Sequence, residues 1–140
     1  MSLLVVGSVA YDSIETPFDR RTEALGGSAI YFSAVASFFA PVHLVAVVGD
    51  DFQHDQINFL RERGVNLEGL TTERGETFRW SGKYLGNMNE RETIYTKLNV
   101  FESFNPVLPP SFKKSDYVFL ANIGPDLQYH VIEQVEKPKF

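Results

Sequence analysis

The residues best suited to chemistry are Asp12, the adjacent pair Gly26-Gly27, and Asn122. A glycine pair lets the backbone approach a ligand closely, and a helix start presents unpaired N–H groups with partial positive charge. A carboxylate near such a turn can accept hydrogen bonds from the hydroxyls of the same ligand. That combination suits a small polyol better than the pyrophosphate of a dinucleotide. Asn122, ahead of Gly124-Pro125, reads either as a turn former or as a substrate contact. Asp12 likewise reads either as a solvated loop carboxylate or as a ligand group. Asp50 and Asp51 read first as N-caps of the helix that follows them.

Other chemistry is poorly represented. His43, His54 and His130 have no metal-ligand spacing and read as structural or solvated. No G-x-x-x-x-G-K-[ST] loop is present, and the first strand runs into Gly7-Ser-Val-Ala-Tyr-Asp12 rather than G-x-G-x-x-G, which disfavours a Rossmann-like nucleotide binder. No Ser-His-Asp arrangement can be argued.

The elements that must position these residues follow from hydrophobic patterning. Leu3 to Val6 is a continuous apolar run closed by Gly7, Val42 to Val48 and Ser115 to Ala121 are of the same buried-strand type, and Val65 to Leu70 reads as a short strand. Thr22 to Leu25 reads as a loop. Ser28 to Phe39 reads as a mostly buried helix stopped by Pro41, with Ile30, Ala34, Val35, Phe38 and Phe39 inward and Ser28, Ser33 and Ser37 on a polar seam. A second helix spans roughly Phe52 to Arg63, with Gly64 just past its end. A third begins at Asp126, read as its cap. Strand and helix in alternation predict right-handed crossovers and a parallel sheet. Ligands of such sheets bind beyond the carboxyl ends of the strands, where Asp12, the glycine pair, Asp50-Asp51 and Asn122 fall.

One segment breaks the pattern. Thr77 to Leu85 alternates cleanly, with Phe78, Trp80 and Tyr84 on one face. After Gly86-Asn-Met-Asn-Glu90, alternation resumes through Thr93, Tyr95 and Lys97. This is a β-hairpin of about residues 75–100 inserted in an α/β domain, placed to act as a lid or an oligomer contact. Asn105 to Pro110 is a rigid connector. Where a parallel pattern calls for another strand the sequence reaches Lys137-Pro-Lys-Phe140, so the chain reads as a truncated part of a larger sheet.

Composition narrows the classes further. The 140 residues suffice for one domain with a real core, and the net charge of −5 without a basic stripe argues against nucleic-acid binding. There is no cysteine, hence no disulfide framework, and no apolar run approaches a membrane span. A cytoplasmic protein is the expectation. Twelve phenylalanines in so short a chain imply a large apolar area, or surfaces meant to be covered.

Taken in order, the strand into Gly7-Ser-Val-Ala-Tyr-Asp12, the Gly26-Gly27 helix, Val48-Gly49-Asp50-Asp51-Phe52, the inserted hairpin and Ala121-Asn122-Ile123 resemble the N-terminal half of the PfkB family of carbohydrate kinases, across nearly the whole chain. The resemblance implies a ribokinase-like α/β fold, here incomplete, with a lid that closes over substrate and often mediates homodimers. It implies ATP-dependent phosphorylation of a hydroxymethyl group on a sugar or nucleoside, with ATP and Mg2+ used by a full-length parent. Asp12 matches the carboxylate that binds substrate hydroxyls, and Gly26-Gly27 the glycines against the substrate. Tyr31 stands where family sugar kinases usually carry Asn, which points to an atypical substrate. The D-T-x-G-A-G-D signature that supplies the catalytic base is absent from these residues. The resemblance therefore assigns substrate-binding roles to Asp12, Gly26, Gly27, Tyr31 and Asn122, and neither a catalytic nor a metal site, and the chain alone is expected to be inactive. The competing reading is a non-catalytic binding or dimerisation module that uses the aromatic hairpin.

Overall fold

The computed structural model describes residues 1–140. A parallel sheet forms the body. Its strands are β1 (Leu3–Val6), β4 (Val42–Gly49), β5 (Asn66–Glu73) and β8 (Tyr117–Leu120), in the order β5-β4-β1-β8. The continuous apolar character of β1 and β4 follows from burial on both faces, whereas the edge strand β5 is mostly exposed and polar. On one face, Val5, Leu44, Ala46 and Val48 pack with Ile30, Ile57 and Leu60. On the other, Leu4, Val6, Val45 and Val47 pack with Phe112 and Val131. Successive residues point to opposite sides, so one strand serves two cores.

A second sheet stands beyond the carboxyl ends of β1 and β4. It comprises β2 (Ala10–Glu15), β3 (Arg20–Gly26), β6 (Phe78–Tyr84) and β7 (Arg91–Lys97), in the order β3-β2-β6-β7. β2 pairs antiparallel with β3 and parallel with β6, and β6 pairs antiparallel with β7. The expected inserted hairpin is thus half of a four-stranded lid. The loop expected over Thr22 to Leu25 is strand. Arg20 to Glu23 are all exposed and polar, so no apolar alternation marks β3 in the sequence.

Helix α1 (Ser28–Ala36) is shorter than expected, ending in a turn before Phe39, and is not mostly buried. Ser33 is wholly buried, whereas Val35, Phe38 and Phe39 are 62–79% exposed. With apolar residues on every side, the segment's composition did not reveal which side faces the sheet. The second helix is a 3-10 turn over His54–Ile57 running into α2 (Asn58–Glu62), and Gly64 at φ 76° closes it. Neither Asp50 nor Asp51 caps it. Helix α3 (Pro125–Gln134) has Gly124 as N-cap, and Asp126 sits in its first turn without a capping bond. Gln134 accepts from Leu108 N at 2.9 Å and donates to the Pro106 carbonyl at 2.9 Å, which ties the proline-rich connector down.

The two sheets are joined at Asp51. Its carboxylate accepts from Thr77 N at 2.8 Å and Thr77 Oγ1 at 2.7 Å, while Gly49 N donates to Thr77 Oγ1 at 3.0 Å. Arg79, on β6, lies 2.7 Å from Asp51 and 2.7 Å from Glu23 of β3. Its guanidinium also sits 5.4 Å from the Tyr11 ring centre. Burial disfavours the Asp51 carboxylate, yet the hydrogen bonds from Thr77 and Arg79 outweigh it and hold its pKa below the ordinary value.

Candidate functional site

The lid sheet faces the body across a cavity of about 340 Å³. That size falls at the lower end of the usual range for small-molecule sites. Alternation along β2 turns Ala10, Asp12 and Ile14 toward it, while Tyr11 points away to pack on Phe52. On β6, Phe78, Trp80 and Tyr84 share the same face. The parallel register sets Asp12 directly beside Trp80 and Ile14 beside Gly82. The carboxylate and the indole are therefore side-by-side neighbours, about 4.8 Å apart at the backbone.

Gly82 gives the indole its place. A Cβ there would stand 3.0 Å from Trp80 Cζ3 and closer still to Cζ2 and Cη2, so Trp80 lies along the sheet over an absent side chain. Gly26 does the same for Asp12, because a Cβ on it would lie 2.8 Å from Asp12 Cγ. Burial pushes the Asp12 carboxyl above its ordinary pKa.

The opposite wall is the start of α1. Gly27 is its N-cap at φ 97°, and a Cβ there would stand 2.8 Å from both the Ser8 carbonyl carbon and Val9 Cα. Only glycine fits both the dihedral and the space. Ser28 N donates to Ser8 Oγ at 3.1 Å, and the two hydroxyls lie 3.1 Å apart. Asn122 N reaches Ser28 Oγ at 3.3 Å, which draws the end of β8 against the helix start. Tyr31, one turn on, is 58% exposed and leans over the cavity. Its phenol pKa is raised by partial burial, then by Asp12 and Tyr84.

Of the five residues singled out in the sequence, Asp12, Gly27, Tyr31 and Asn122 line this one cavity, and Gly26 backs the Asp12 side chain. Asp12 does not follow a body strand but lies within β2. Asp50 and Asp51 do not line the cavity, and Asp51 is committed to the sheet junction. Ser8, Ile14, Gly82 and Arg91 went unnoticed. Strict alternation through Trp80 flagged the face that Gly82 shares, but Arg91 is placed by a hairpin register that no local pattern encodes.

Comparison with known proteins fits this architecture. No protein-family model matches the chain, and no curated protein matches it. Solved structures do. The nucleoside kinase of Methanocaldococcus jannaschii, an archaeal member of the ribokinase family, superposes with a TM-score of 0.72 at 17% identity, over 98% of this chain and 50% of that one. Ribokinase from Cryptococcus neoformans var. grubii serotype A, solved with ADP, gives 0.59 at 23% identity, over 84% and 41%. The nucleoside kinase of Burkholderia thailandensis, solved with inosine, gives 0.59 at 14% identity, over 72% and 38%. The chain has the ribokinase-like α/β fold. It spans about half the length of the solved structures it matches. No helix is long and apolar enough to cross a membrane.

Proposed function

We propose that residues 1–140 are the substrate-binding portion of an ATP-dependent sugar or nucleoside kinase. The observation that carries this reading is Asp12 beside Trp80 in a monosaccharide-sized cavity closed by the Gly27-Ser28 helix start. A half-buried carboxylate accepts hydrogen bonds from vicinal hydroxyls, and the faces of Trp80, Phe78 and Tyr84 pack on a sugar or base ring. Ser8, Ser28 and Asn122 supply short polar contacts. Lid strands line one side of the cavity and the start of α1 with Ser8 and Asn122 the other, so a small displacement of the lid would exclude water and fix the ligand's orientation, which is much of what phosphoryl transfer requires.

The residues present do not fit the nucleotide and its metal. No three His, Asp or Glu side chains converge to hold a cation, and the cavity carries a single guanidinium, that of Arg91. In this reading ATP, Mg2+ and the catalytic base belong to residues of a full-length parent beyond those described. No step of the transfer is assigned to residues 1–140.

Calorimetric titration with pentoses and nucleosides tests the proposal. Asp12→Ala should weaken binding by about 10- to 150-fold, the equivalent of one hydrogen-bonded charge. Binding that is indifferent to Asp12 overturns it, as does ATP-dependent phosphorylation by the 140-residue chain alone for the claim of inactivity. A second reading rests on β7, every residue of which is exposed, with Ile94 prominent among them. Its free edge suits contact between two copies, and sedimentation as a monomer at high concentration would count against that.

A further inference from the structure

We propose that the ligand of this cavity carries an oxyanion, a phosphate ester or a carboxylate, held by Arg91 over Trp80 while Asp12 accepts from the ligand's hydroxyls. The inference deepens the kinase reading and rests on it. It begins with the fate of the lid's cations. Arg79 is spent on Glu23 and Asp51, and Lys83 lies 3.1 Å from Glu15. Lys97 sits 5.2 Å from the Tyr95 ring. Arg20 and Arg21 of β3 are exposed and line no part of the cavity, so Arg91 alone among the lid's cations faces it.

Arg91 starts β7, opposite Tyr84 at the far end of β6, yet its guanidinium carbon lies 5.4 Å from the Trp80 ring centre. The side chain therefore runs back along the sheet to rest on the indole. A guanidinium over an aromatic ring keeps its N–H groups free for a planar, two-oxygen acceptor, which is how arginine recognises carboxylate and phosphate. None of the chain's ion pairs or side-chain hydrogen bonds uses Arg91, although Glu90 and Glu92 flank it in sequence.

The cavity's other charge is not its partner. No ion pair joins Asp12 to Arg91, and burial alone shifts the Asp12 carboxyl. Two unlike charges thus line one small cavity without neutralising each other. A polyol with an anionic substituent satisfies both at once, whereas a neutral sugar offers the guanidinium only hydroxyl acceptors and no countercharge.

The test is calorimetry on the 140-residue chain with D-ribose, D-ribose 5-phosphate, D-gluconate and inorganic phosphate. Ribose 5-phosphate or gluconate should bind at least about tenfold more tightly than ribose, the effect of one added charge-assisted hydrogen bond. Arg91→Ala should erase that preference, so that the acids bind no tighter than ribose does to the same variant, while Arg91→Lys should retain part of it. Asp12→Ala should weaken every sugar. A preference that survives Arg91→Ala overturns the inference, as does binding of the acids no tighter than ribose. If ribose binds through Asp12 and the acids show no advantage, the kinase reading stands and this inference alone falls. If phosphate by itself binds as tightly as the sugar phosphate, the cavity is a simple anion site and the inference is likewise overturned. Failure of all four probes to bind overturns both.

Discussion

Asp12 is a residue whose burial works against the fold that holds it. Its folded pKa is raised, so the ionised form at neutral pH is disfavoured in the native state relative to the unfolded chain. Asp12→Asn should therefore raise the melting temperature at pH 7. The gain should be fully present above the raised pKa, shrink as pH falls toward the ordinary aspartate range near about 4, and vanish below it. Melting curves of both proteins between pH 3 and 8 check this, and a pH-independent difference would contradict it. A stability cost carried by a ligand-binding group is a usual feature of functional sites. Gly82 makes a matching case in the opposite sense. Gly82→Ala puts a methyl group where the Trp80 ring lies, so Trp80 must leave the sheet. Its fluorescence should shift toward that of a solvated indole and ring-bearing ligands should bind more weakly, while the melting temperature moves little.

At the scale of elements, the decisive contact is the junction of Arg79 with Asp51 and Glu23. Arg79→Met strands two carboxylates and should cost about 1.5–3 kcal/mol, with the loss concentrated in the lid. Because the Asp51 pKa is depressed, the junction's contribution is present above about pH 4 and is lost as pH falls through the lower folded value. Amide exchange should register the same boundary. β7 is exposed throughout and hydrogen-bonded on one side, so its amides should exchange far faster than those of β1 and β4. Equal protection across β7 and β4 would refute a separable lid. Elements were legible in the sequence where burial dictated composition. The central body strands β1 and β4 advertise themselves as apolar runs because both faces are covered, and the alternation of Phe78, Trp80 and Tyr84 reflects one covered face. β3 was illegible because Arg20, Arg21, Thr22 and Glu23 cover nothing. The exposed Phe38 and Phe39 misled for the converse reason, being apolar without burial. Asp51 was misread as a cap because its partners, Thr77 and Arg79, lie more than twenty residues away.

At the scale of the whole molecule, the two cores that share one sheet should fail together. Phe112 is fully buried and stacks on His43, with ring centres 4.5 Å apart. Phe112→Ala should cost about 3–5 kcal/mol, and denaturant unfolding should remain a single transition, because β4 carries both cores. Two resolved transitions would show that the cores are independent. The site itself was legible as a set of residues and not as a shape. Asp12 and the glycines were visible, but their nearness to Trp80 depends on the pairing of β2 with β6. That pairing also bears on synthesis. β2 and β3 leave the ribosome early, yet β6, which completes the sheet around them, comes only after β4 and β5. A nascent chain must carry half a lid, with one edge of β2 open, while some fifty further residues are made, a wait of several seconds at ordinary elongation rates. The polar face of β3 and the charges of Arg20 and Arg21 guard the outer flank of that unfinished sheet. The inner edge has no such guard, so a pause in translation between β3 and β6 should favour aggregation more than a pause after β7.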